Sequence, residues 1–363
     1  MTSVERRKTR RLQIGDVPIG GGAPISVQSM ISTPTQDVEA TTAQISSLAA
    51  LGCDIVRVAV PDQAGAEALG TIIEQSALPV VADIHFDYRL ALAAIAAGCQ
   101  GLRLNPGNIR RTDRVREIVE SAKEKGIPIR IGVNGGSLAP HWRVKIEKNE
   151  CSLPEAMVES ALEHVRILEG LNFHDIKISL KASDVAPTVE AYRLMAQRRD
   201  YPFHVGVTEA GTVWSGTIKS AAGIGALLMD GLCDTIRVSL TGPVEEEVRV
   251  AKKLLSVFGL RSNGPELISC PTCGRRSIDI ERLAAQIEKR LESVREPLRV
   301  AVMGCVVNGP GEAREADIGI AGGGGRGIVF RRGEIVRRCP ADKILETFEE
   351  ELRKLLSDQS AES

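Results

Sequence analysis

The chain is poor in aromatic residues, in long apolar runs and in net charge. Only 3% of its 363 residues are Phe, Trp or Tyr, so we expect an aliphatic core of the kind found in parallel sheets. No apolar run is long enough to cross a bilayer. The formal net charge of −1 excludes a global field that would attract nucleic acid or an anionic membrane.

The N-terminal sequence lacks the pattern of an export signal. Residues 5–11 are basic, but no apolar region follows them, and we expect this segment to be a solvated tail. The protein is therefore expected to be cytoplasmic, and its eight cysteines to be thiols or metal ligands rather than disulfides. Cys53, Cys99 and Cys233 closely follow a glycine and precede a predicted strand, so we expect them to be buried structural thiols.

A repeating unit of strand, amphipathic helix and glycine fills the first two-thirds of the chain. Eight such units predict a (β/α)8 TIM barrel, with an open doubly wound sheet as the alternative. The predicted strands are Ile25–Met30, Ile55–Val60, Pro79–Ile84, Gly101–Asn105, Pro128–Val133, Asp175–Leu180, Phe203–Thr208 and Thr235–Leu240. The glycines predicted to end helices are Gly52, Gly98, Gly126, Gly170, Gly231 and Gly259.

A turn-rich break at residues 262–265 predicts a boundary between a barrel domain, 1–262, and a small α/β domain, 263–363. In the second domain we predict helices near 279–294 and 341–356, strands at 298–303 and 318–321, and a hairpin turn near 332–333. The glycine run 322–325 could cradle a phosphate, although such runs are more often flexible connections.

Charged and polar residues interrupt the predicted barrel strands. Because barrel enzymes place their sites at the carboxyl ends of the strands, we expect these side chains to form a pocket. Arginine forks suit phosphate oxygens, so the pocket predicts a small anionic substrate such as a diphosphate. Asp83 and Glu209 could act as acid or base, and Lys177 could simply pair with one of them. The other members are Arg57, His85, Arg103, Asn105, Arg130, Asn134, Ser179, Lys181, Arg237 and Ser239.

Three thiols in the last third of the chain predict a metal site. Cys270 and Cys273 form a Cys-x-x-Cys, and Cys305 lies in a glycine-rich loop. A [4Fe–4S] cluster fits this irregular spacing, whereas a zinc ribbon needs a second close pair. A thiol redox pair is a further alternative. Cys339 and Glu312 are the two candidates for a fourth ligand.

The motifs resemble those of the bacterial 4-hydroxy-3-methylbut-2-enyl diphosphate synthases of the non-mevalonate isoprenoid pathway. The resemblance runs from about Arg11 to about Arg338 and matches the two-domain bacterial form. It rests on Ser-Cys-Pro-Thr-Cys-Gly-Arg at 269–275, Gly-Cys-Val-Val-Asn-Gly-Pro-Gly-Glu-Ala at 304–313, Val-Ala-Asp-Ile-His-Phe at 81–86, Arg-Leu-Asn-Pro-Gly-Asn at 103–108, Arg-Ile-Gly-Val-Asn-Gly-Gly-Ser-Leu at 130–138, Ser-Leu-Lys-Ala-Ser-Asp at 179–184 and Gly-Val-Thr-Glu-Ala-Gly at 206–211.

The resemblance implies a reductive ring opening of 2-C-methyl-D-erythritol 2,4-cyclodiphosphate, with loss of water. It implies electron supply by flavodoxin or ferredoxin, and homodimers in which the cluster domain of one subunit covers the barrel of the other. The implied ligands of a [4Fe–4S] cluster are Cys270, Cys273, Cys305 and Glu312, with Glu312 yielding its place to a substrate oxygen. The implied substrate-binding and polar residues are Arg57, Asp83, Arg103, Asn105, Arg130, Asn134 and Lys181, with Glu209 as candidate proton donor. Cys339 is not a ligand in the family.

Two other functions fit parts of the pattern. A phosphosugar lyase or isomerase barrel could carry an appended structural zinc domain. A nucleic-acid-binding zinc module is disfavoured, because residues 263–363 contain nearly equal numbers of basic and acidic residues and lack the basic footprint that nucleic acid requires.

Overall fold

The computed structural model describes residues 4–84, 87–104, 112–261, 264–273, 276, 278–291, 293–294, 296–305, 313–323 and 325–362. The chain forms two compact units, Met1–Arg261 and Ser262–Ser363. Each unit has its own sheet and its own apolar core.

The first unit is a barrel of eight parallel strands surrounded by helices, which confirms the predicted fold. Neighbouring strands follow chain order, and a bridge between Ile178 and Phe203 links the two ends of the sheet. The strands are β3 (Ser26–Met30), β4 (Ile55–Ala59), β5 (Val80–Ile84), β6 (Gly101–Leu104), β7 (Ile129–Asn134), β8 (Ile176–Lys181), β9 (His204–Val205) and β10 (Thr235–Ile236). The helices are α1 (Val38–Ala50), α2 (Gln63–Gln75), α3 (Tyr88–Ala96), α4 (Thr112–Lys125), α5 (Pro140–Glu147), α6 (Leu153–Gly170), α7 (Val185–Ala196), α8 (Val213–Met229) and α9 (Val244–Val257).

Local sequence explains where these helices begin and end. Asp37 and Asp62 accept hydrogen bonds from backbone amides at the starts of α1 and α2, and Ser152 forms a capping box with Glu155 before α6. Five of the six predicted glycine stops have positive φ. Gly170 was predicted wrongly: α6 includes it, and Asn172 takes the left-handed conformation, with φ of 55°.

The last two barrel strands are shorter than predicted. Only two residues of each keep regular pairing: β10 pairs with β3 and β9, whereas β9 pairs regularly with β10 alone. Beyond β9, Glu209 has a φ of 51°, which is incompatible with an extended strand. The regular pairing of these two strands therefore stops before the carboxyl-terminal end of the barrel, which is the end where barrel enzymes place their sites.

The prediction of a solvated N-terminal tail is wrong. Arg6 donates to the Cys233 carbonyl at 3.1 Å and pairs with the buried Asp234 at 3.0 Å. Arg7 donates to the carbonyls of Arg199 and Tyr201. The following hairpin, β1 (Leu12–Ile14) and β2 (Val17–Ile19), packs its apolar side chains against Ile55 and Val81. Basic residues that look solvated in sequence thus cover the amino-terminal end of the barrel.

Arg6→Ala is expected to lower the free energy of unfolding by about 3 kcal/mol, because it leaves the Asp234 carboxylate buried without its partner. That loss corresponds to a decrease in Tm of about 6–12 °C for a unit of this size. Arg10→Ala is the matched control: Arg10 pairs with Asp200 on the surface, and its removal should cost less than about 1 kcal/mol. Thermal unfolding of both variants checks this, and equal losses would contradict it.

The second unit is a five-stranded sheet with helices packed on one face. Strands β11 (Glu266–Ser269), β12 (Arg299–Met303) and β13 (Ile318–Gly323) are parallel, and β14 (Arg326–Arg331) and β15 (Glu334–Pro340) are antiparallel additions. The helices are α10 (Ile280–Leu291) and α11 (Ile344–Glu362). Strand β11 was not predicted, because it is short and largely exposed.

The glycine run ends one strand and turns into the next. Gly322 and Gly323 pair with β14, and Gly325 has a φ of 75°, as a tight turn requires. The described part of the run therefore belongs to a hairpin, and neither the phosphate cradle nor the flexible connection is found there. The predicted turn near 332–333 joins β14 to β15, as expected. None of the described helices is both long and apolar enough to cross a membrane.

Candidate active site

A row of four charged side chains crosses neighbouring strands of the barrel. Pairing places Asp83 of β5 beside Arg103 of β6, Arg103 beside Arg130 of β7, and Arg130 beside Lys177 of β8. All four are at most 6% exposed. Residues paired in this way point to the same face of a sheet. The alternate residues of β5, Ala82 and Ile84, belong to the aliphatic core, so the row faces the barrel interior.

Asp83 organises two of the guanidinium groups. Its carboxylate accepts from Arg103 Nη1 at 2.9 Å and lies 3.4 Å from Arg57 Nε. Arg130 instead donates through Nη1 to the hydroxyl of Ser179 at 3.2 Å. Among the described residues, neither Arg130 nor Lys181 has a carboxylate partner. The interior therefore holds more cations than its visible acids neutralise.

Two glycines make room for these long side chains. A Cβ at Gly132 would lie 3.1 Å from both Arg103 Nε and Ser179 Oγ. A Cβ at Gly206 would lie 3.0 Å from Lys181 Nζ and would collide with the carbonyl oxygen of Arg237. Both glycines therefore make room for side chains in the barrel interior, a role that their sequence context did not indicate.

Burial and mutual repulsion lower the pKa of the interior cations. Burial lowers the pKa of Arg57 to about 10, although Asp83 opposes the shift. Burial is the main cause that holds the pKa of Arg130 well below its usual range, and repulsion from Arg57 and Arg103 adds to it. The pKa of Lys181 is also held well below its usual range, by burial first and then by repulsion from Arg237 and Arg130. An anion among these groups would reverse the shifts, because opposite charge favours the protonated forms. The arrangement is thus that of an anion-binding site.

Glu247 is a member of the site that sequence reasoning missed. It lies in the first turn of α9 beside Glu245 and Glu246, where acidic residues usually only complement the helix dipole. In the structure it is 5% exposed and lies 3.5 Å from Arg237 Nη2. It also accepts from Ser29 Oγ and the Leu240 amide. Glu247 therefore holds Arg237 in place. Its role could not be predicted from the sequence, because it depends on how α9 packs against the barrel.

Asn134 lies at the carboxyl end of its strand, and Glu209 lies four residues beyond the end of β9. Glu209 combines an exposed side chain with a φ of 51°, and such left-handed residues are enriched at functional sites. Asn134 is the last residue of β7, next to Lys181 of β8. Two of the predicted site residues, Asn105 and Glu312, lie outside the described residues, as does His85.

Lys177 is placed differently from its prediction. Its Nζ has no hydrogen-bond partner among the described residues, so the expected pairing with Asp83 or Glu209 is wrong. Both ring nitrogens of His204 are likewise buried without partners in the described part of the chain. Ser179 faces the interior as predicted, since it accepts from Arg130.

The structure brings two of the three thiols to adjacent strand ends in the second unit. Cys270 directly follows β11 and Cys305 follows β12 by two residues, and these two strands are parallel neighbours. The Gly304 amide donates to Cys270 Sγ at 3.2 Å. Cys305 is 9% exposed, whereas Cys273 is exposed. No disulfide joins any of the eight cysteines, all of which are described.

Cys339 cannot complete this group of ligands. It lies on β15, level with Gly327 of β14 and hence with the carboxyl end of β13. Three strand spacings separate β15 from β12, or about 14 Å at ~4.8 Å each. That separation is too large for ligands of one cluster, so the alternative in which Cys339 is the fourth ligand is excluded.

The donor set fits an iron–sulfur group. Thiolates are the ligands that such clusters take, and an amide that donates to a ligand sulfur, as Gly304 does to Cys270, tunes the potential of these centres. In the part of the chain that the structure describes, no three His, Cys, Asp or Glu side chains form a group that could hold a single metal ion.

The barrel and the thiol-bearing unit together define a class of protein: a TIM-barrel enzyme for an anionic substrate with an appended cysteine-bearing α/β unit. Sequence models of protein families agree with this class and identify the family within it. The GcpE TIM-barrel domain matches residues 9–252, and the GcpE protein C-terminal domain matches residues 266–354. The chain belongs to the GcpE family.

Relatives of known name are similar to the chain over almost its whole length. It is 58% identical to the 4-hydroxy-3-methylbut-2-en-1-yl diphosphate synthase (flavodoxin) of Geobacter sulfurreducens, over 98% of this chain and 99% of the relative. It is 54% identical to the protein of the same name from Geobacillus kaustophilus, over 99% and 95%. A solved 3-dehydroquinate dehydratase from Geobacillus kaustophilus aligns with a TM-score of 0.48 at 13% identity, over 71% of this chain and 100% of that chain, and adds nothing to the assignment.

Proposed function

We propose that the interior cations of the barrel bind a cyclic diphosphate and that Cys270, Cys273 and Cys305, with Glu312, hold the [4Fe–4S] cluster that reduces it. We assign substrate binding to residues 1–262 and the cluster to residues 263–363. The extents of the two compact units and of the two family domains support this division. The observation that carries the proposal is the buried surplus of positive charge inside the barrel.

As a member of this family the chain is an oxidoreductase. It converts 2-C-methyl-D-erythritol 2,4-cyclodiphosphate to (E)-4-hydroxy-3-methylbut-2-enyl diphosphate. Two electrons and two protons are consumed for each molecule. One bond between the ring carbon and a phosphate oxygen breaks, one hydroxyl leaves as water, and a carbon–carbon double bond forms. The protein must therefore hold a diphosphate throughout and deliver protons to a departing oxygen.

The cations provide the first of these functions. Arg57, Arg103, Arg130 and Lys181 converge on one interior region, where low dielectric strengthens each contact with a phosphate oxygen. Ring opening leaves the diphosphate attached at one end, and the same cations can retain it. Asn134, the last residue of β7, and Asn105 are proposed to orient substrate hydroxyls.

The two carboxylates, Asp83 and Glu209, are proposed to have different roles. Asp83 is 1% exposed and bridges two guanidinium groups, so we propose that it fixes the geometry of Arg57 and Arg103. Glu209 is exposed beyond the end of β9, which suits a group that must exchange protons with solvent. We therefore propose Glu209 as the donor to the departing hydroxyl.

The chain belongs to a family of iron–sulfur enzymes, and we propose that three thiolates and one carboxylate hold the cluster. The adjacent strand ends of Cys270 and Cys305 support this, as does the exclusion of Cys339. Ala313, the residue after Glu312, is buried in the same small apolar cluster that Cys270 contacts. A cluster held by these residues would pass the two electrons one at a time, at low potential.

Flavodoxin is the electron donor that we propose, because the names of the relatives include it; ferredoxin is the alternative. We also propose a homodimer. Trp214 and Ile218 on α8 are 78% and 54% exposed, and exposed apolar groups of this kind often mark a protein interface. Light scattering should give twice the single-chain mass of 39.0 kDa. A single-chain mass under assay conditions would contradict the dimer.

Metal analysis of protein purified without oxygen tests the proposed cofactor. We expect iron and acid-labile sulfide in equal amounts, with broad visible absorbance. A colourless protein with one zinc per chain would contradict the proposal and favour the phosphosugar lyase or isomerase with a structural zinc domain.

A further inference from the structure

Lys177 lies inside the barrel, and its side chain has no hydrogen-bond partner within the described part of the chain. It is 2% exposed, and its Nζ contacts no acceptor among the described residues. It is paired across the sheet with Arg130 of β7, which the proposed function assigns to the diphosphate. The proposed function assigns a role to Arg130 but none to Lys177.

The groups around Lys177 are mostly cationic. Arg130 on β7 and Arg57 on β4 oppose its charge, and the acid that favours it is Asp234, before β10. Asp234 is already bound to Arg6 and the Phe203 amide. The titratable and charged groups of the packed elements are Arg57 (β4), Asp83 (β5), Arg103 (β6), Arg130 (β7), Lys181 (β8), His204 (β9), Asp234 and Arg237 (on either side of β10), and Glu247 (α9).

A protonated Lys177 in these buried and mostly cationic surroundings carries a large free-energy cost. Burying an unpaired charge costs several kcal/mol, so the group loses its proton instead. Burial, followed by repulsion from Arg130, lowers the pKa of Lys177 to about 7. His204 offers no compensation, because burial and then Arg130 hold its pKa well below the usual range. Above neutral pH, Lys177 is therefore a neutral amine before an anion binds.

We propose that Lys177 takes up one proton from solvent when the diphosphate binds beside Arg130, and that the resulting ammonium strengthens the hold of the pocket on the anion. This inference rests on the proposed function. The lone pair of Nζ accepts the proton, no electrons move, and the proton returns to solvent when the product leaves. Lys177 acts through Arg130 and is a positioning residue rather than a catalytic one.

The proton can be counted by titration calorimetry. The cyclic diphosphate is a suitable probe, because each of its phosphates carries one strongly acidic oxygen and neither titrates near neutral pH. The cluster-loaded protein is titrated at pH 8 without reductant, in buffers that differ in ionisation enthalpy. We expect proton uptake in the unsubstituted protein, to which Lys181 also contributes because burial lowers its pKa as well. Lys177→Met should take up about one proton fewer, and Lys123→Met, on the outside of the barrel, should match the unsubstituted protein.

The pH dependence of affinity gives a second measurement that needs no variant. Because the proton on Lys177 is bound only in the complex, affinity should fall at least about tenfold between pH 8 and pH 9. A pH-independent affinity without proton uptake would overturn the inference while leaving the proposed function intact. Unchanged uptake in Lys177→Met would also overturn it. Failure of the unsubstituted protein to bind the cyclic diphosphate at all would instead contradict the proposed function.

Discussion

Cys305→Ala is expected to remove the cluster and to reduce turnover by at least about 1,000-fold, because the substitution deletes a thiolate that the remaining ligands cannot replace. Cys305 follows β12 and is 9% exposed, so a smaller side chain should not disturb the exposed surface. Iron and sulfide analysis, together with the visible spectrum, reports cluster loss independently of activity. A Cys305→Ala protein that keeps a full complement of iron would contradict the ligand assignment.

Two further substitutions complete this experiment. Cys339→Ser is the matched control, because the sheet order separates Cys339 from the other thiols; iron content and turnover should both be retained. Glu312→Ala should keep part of the cluster but lose turnover by about 100-fold or more, since the displaceable ligand is gone. Normal turnover in Glu312→Ala would contradict the role of that carboxylate.

Arg130→Met is expected to have opposite effects on binding and on stability. Loss of a buried cation that contacts the diphosphate should cost about 2–4 kcal/mol of binding free energy, or about 30- to 1,000-fold in affinity. Removal of the same cation relieves repulsion with Arg57 and Arg103, so the Tm of the protein without substrate should rise.

Arg193→Met serves as the control for Arg130→Met. Arg193 pairs with Asp230 on the outer surface, where its side chain is 55% exposed, so binding should be unchanged and the Tm should move little. Calorimetric binding and thermal unfolding measure both effects. An Arg130→Met protein with unchanged affinity, or with a markedly lower Tm, would contradict the assignment of Arg130 to an anion site.

Much of the fold was predictable because its signals are local. Aliphatic strands that alternate with amphipathic helices indicated the barrel, and the recurrence of charge on one parity of those strands indicated the interior row from Asp83 to Lys177. The positions of Cys53, Cys99 and Cys233 likewise indicated burial, which the structure confirms. Each of these inferences needs only strand alternation and knowledge of which strand end carries the site.

What could not be predicted depends on contacts distant in sequence. The sequence around Arg6 predicts a solvated side chain, but in the structure Arg6 pairs with Asp234, which lies more than two hundred residues later in the chain. Glu247 looks like a helix-dipole residue until Ser29 and Arg237 contact it. The exclusion of Cys339 required the order of strands in the second sheet, which no local pattern encodes.

Single-turnover reduction of the cyclic diphosphate tests the account most directly. Protein purified without oxygen is mixed with 2-C-methyl-D-erythritol 2,4-cyclodiphosphate and chemically reduced flavodoxin, and products and electrons are counted. We expect one linear hydroxylated diphosphate for every two electrons consumed, and no reaction when the reductant is omitted. Conversion of the substrate without a reductant, or cluster-loaded and reduced protein that leaves it unchanged, would contradict the account.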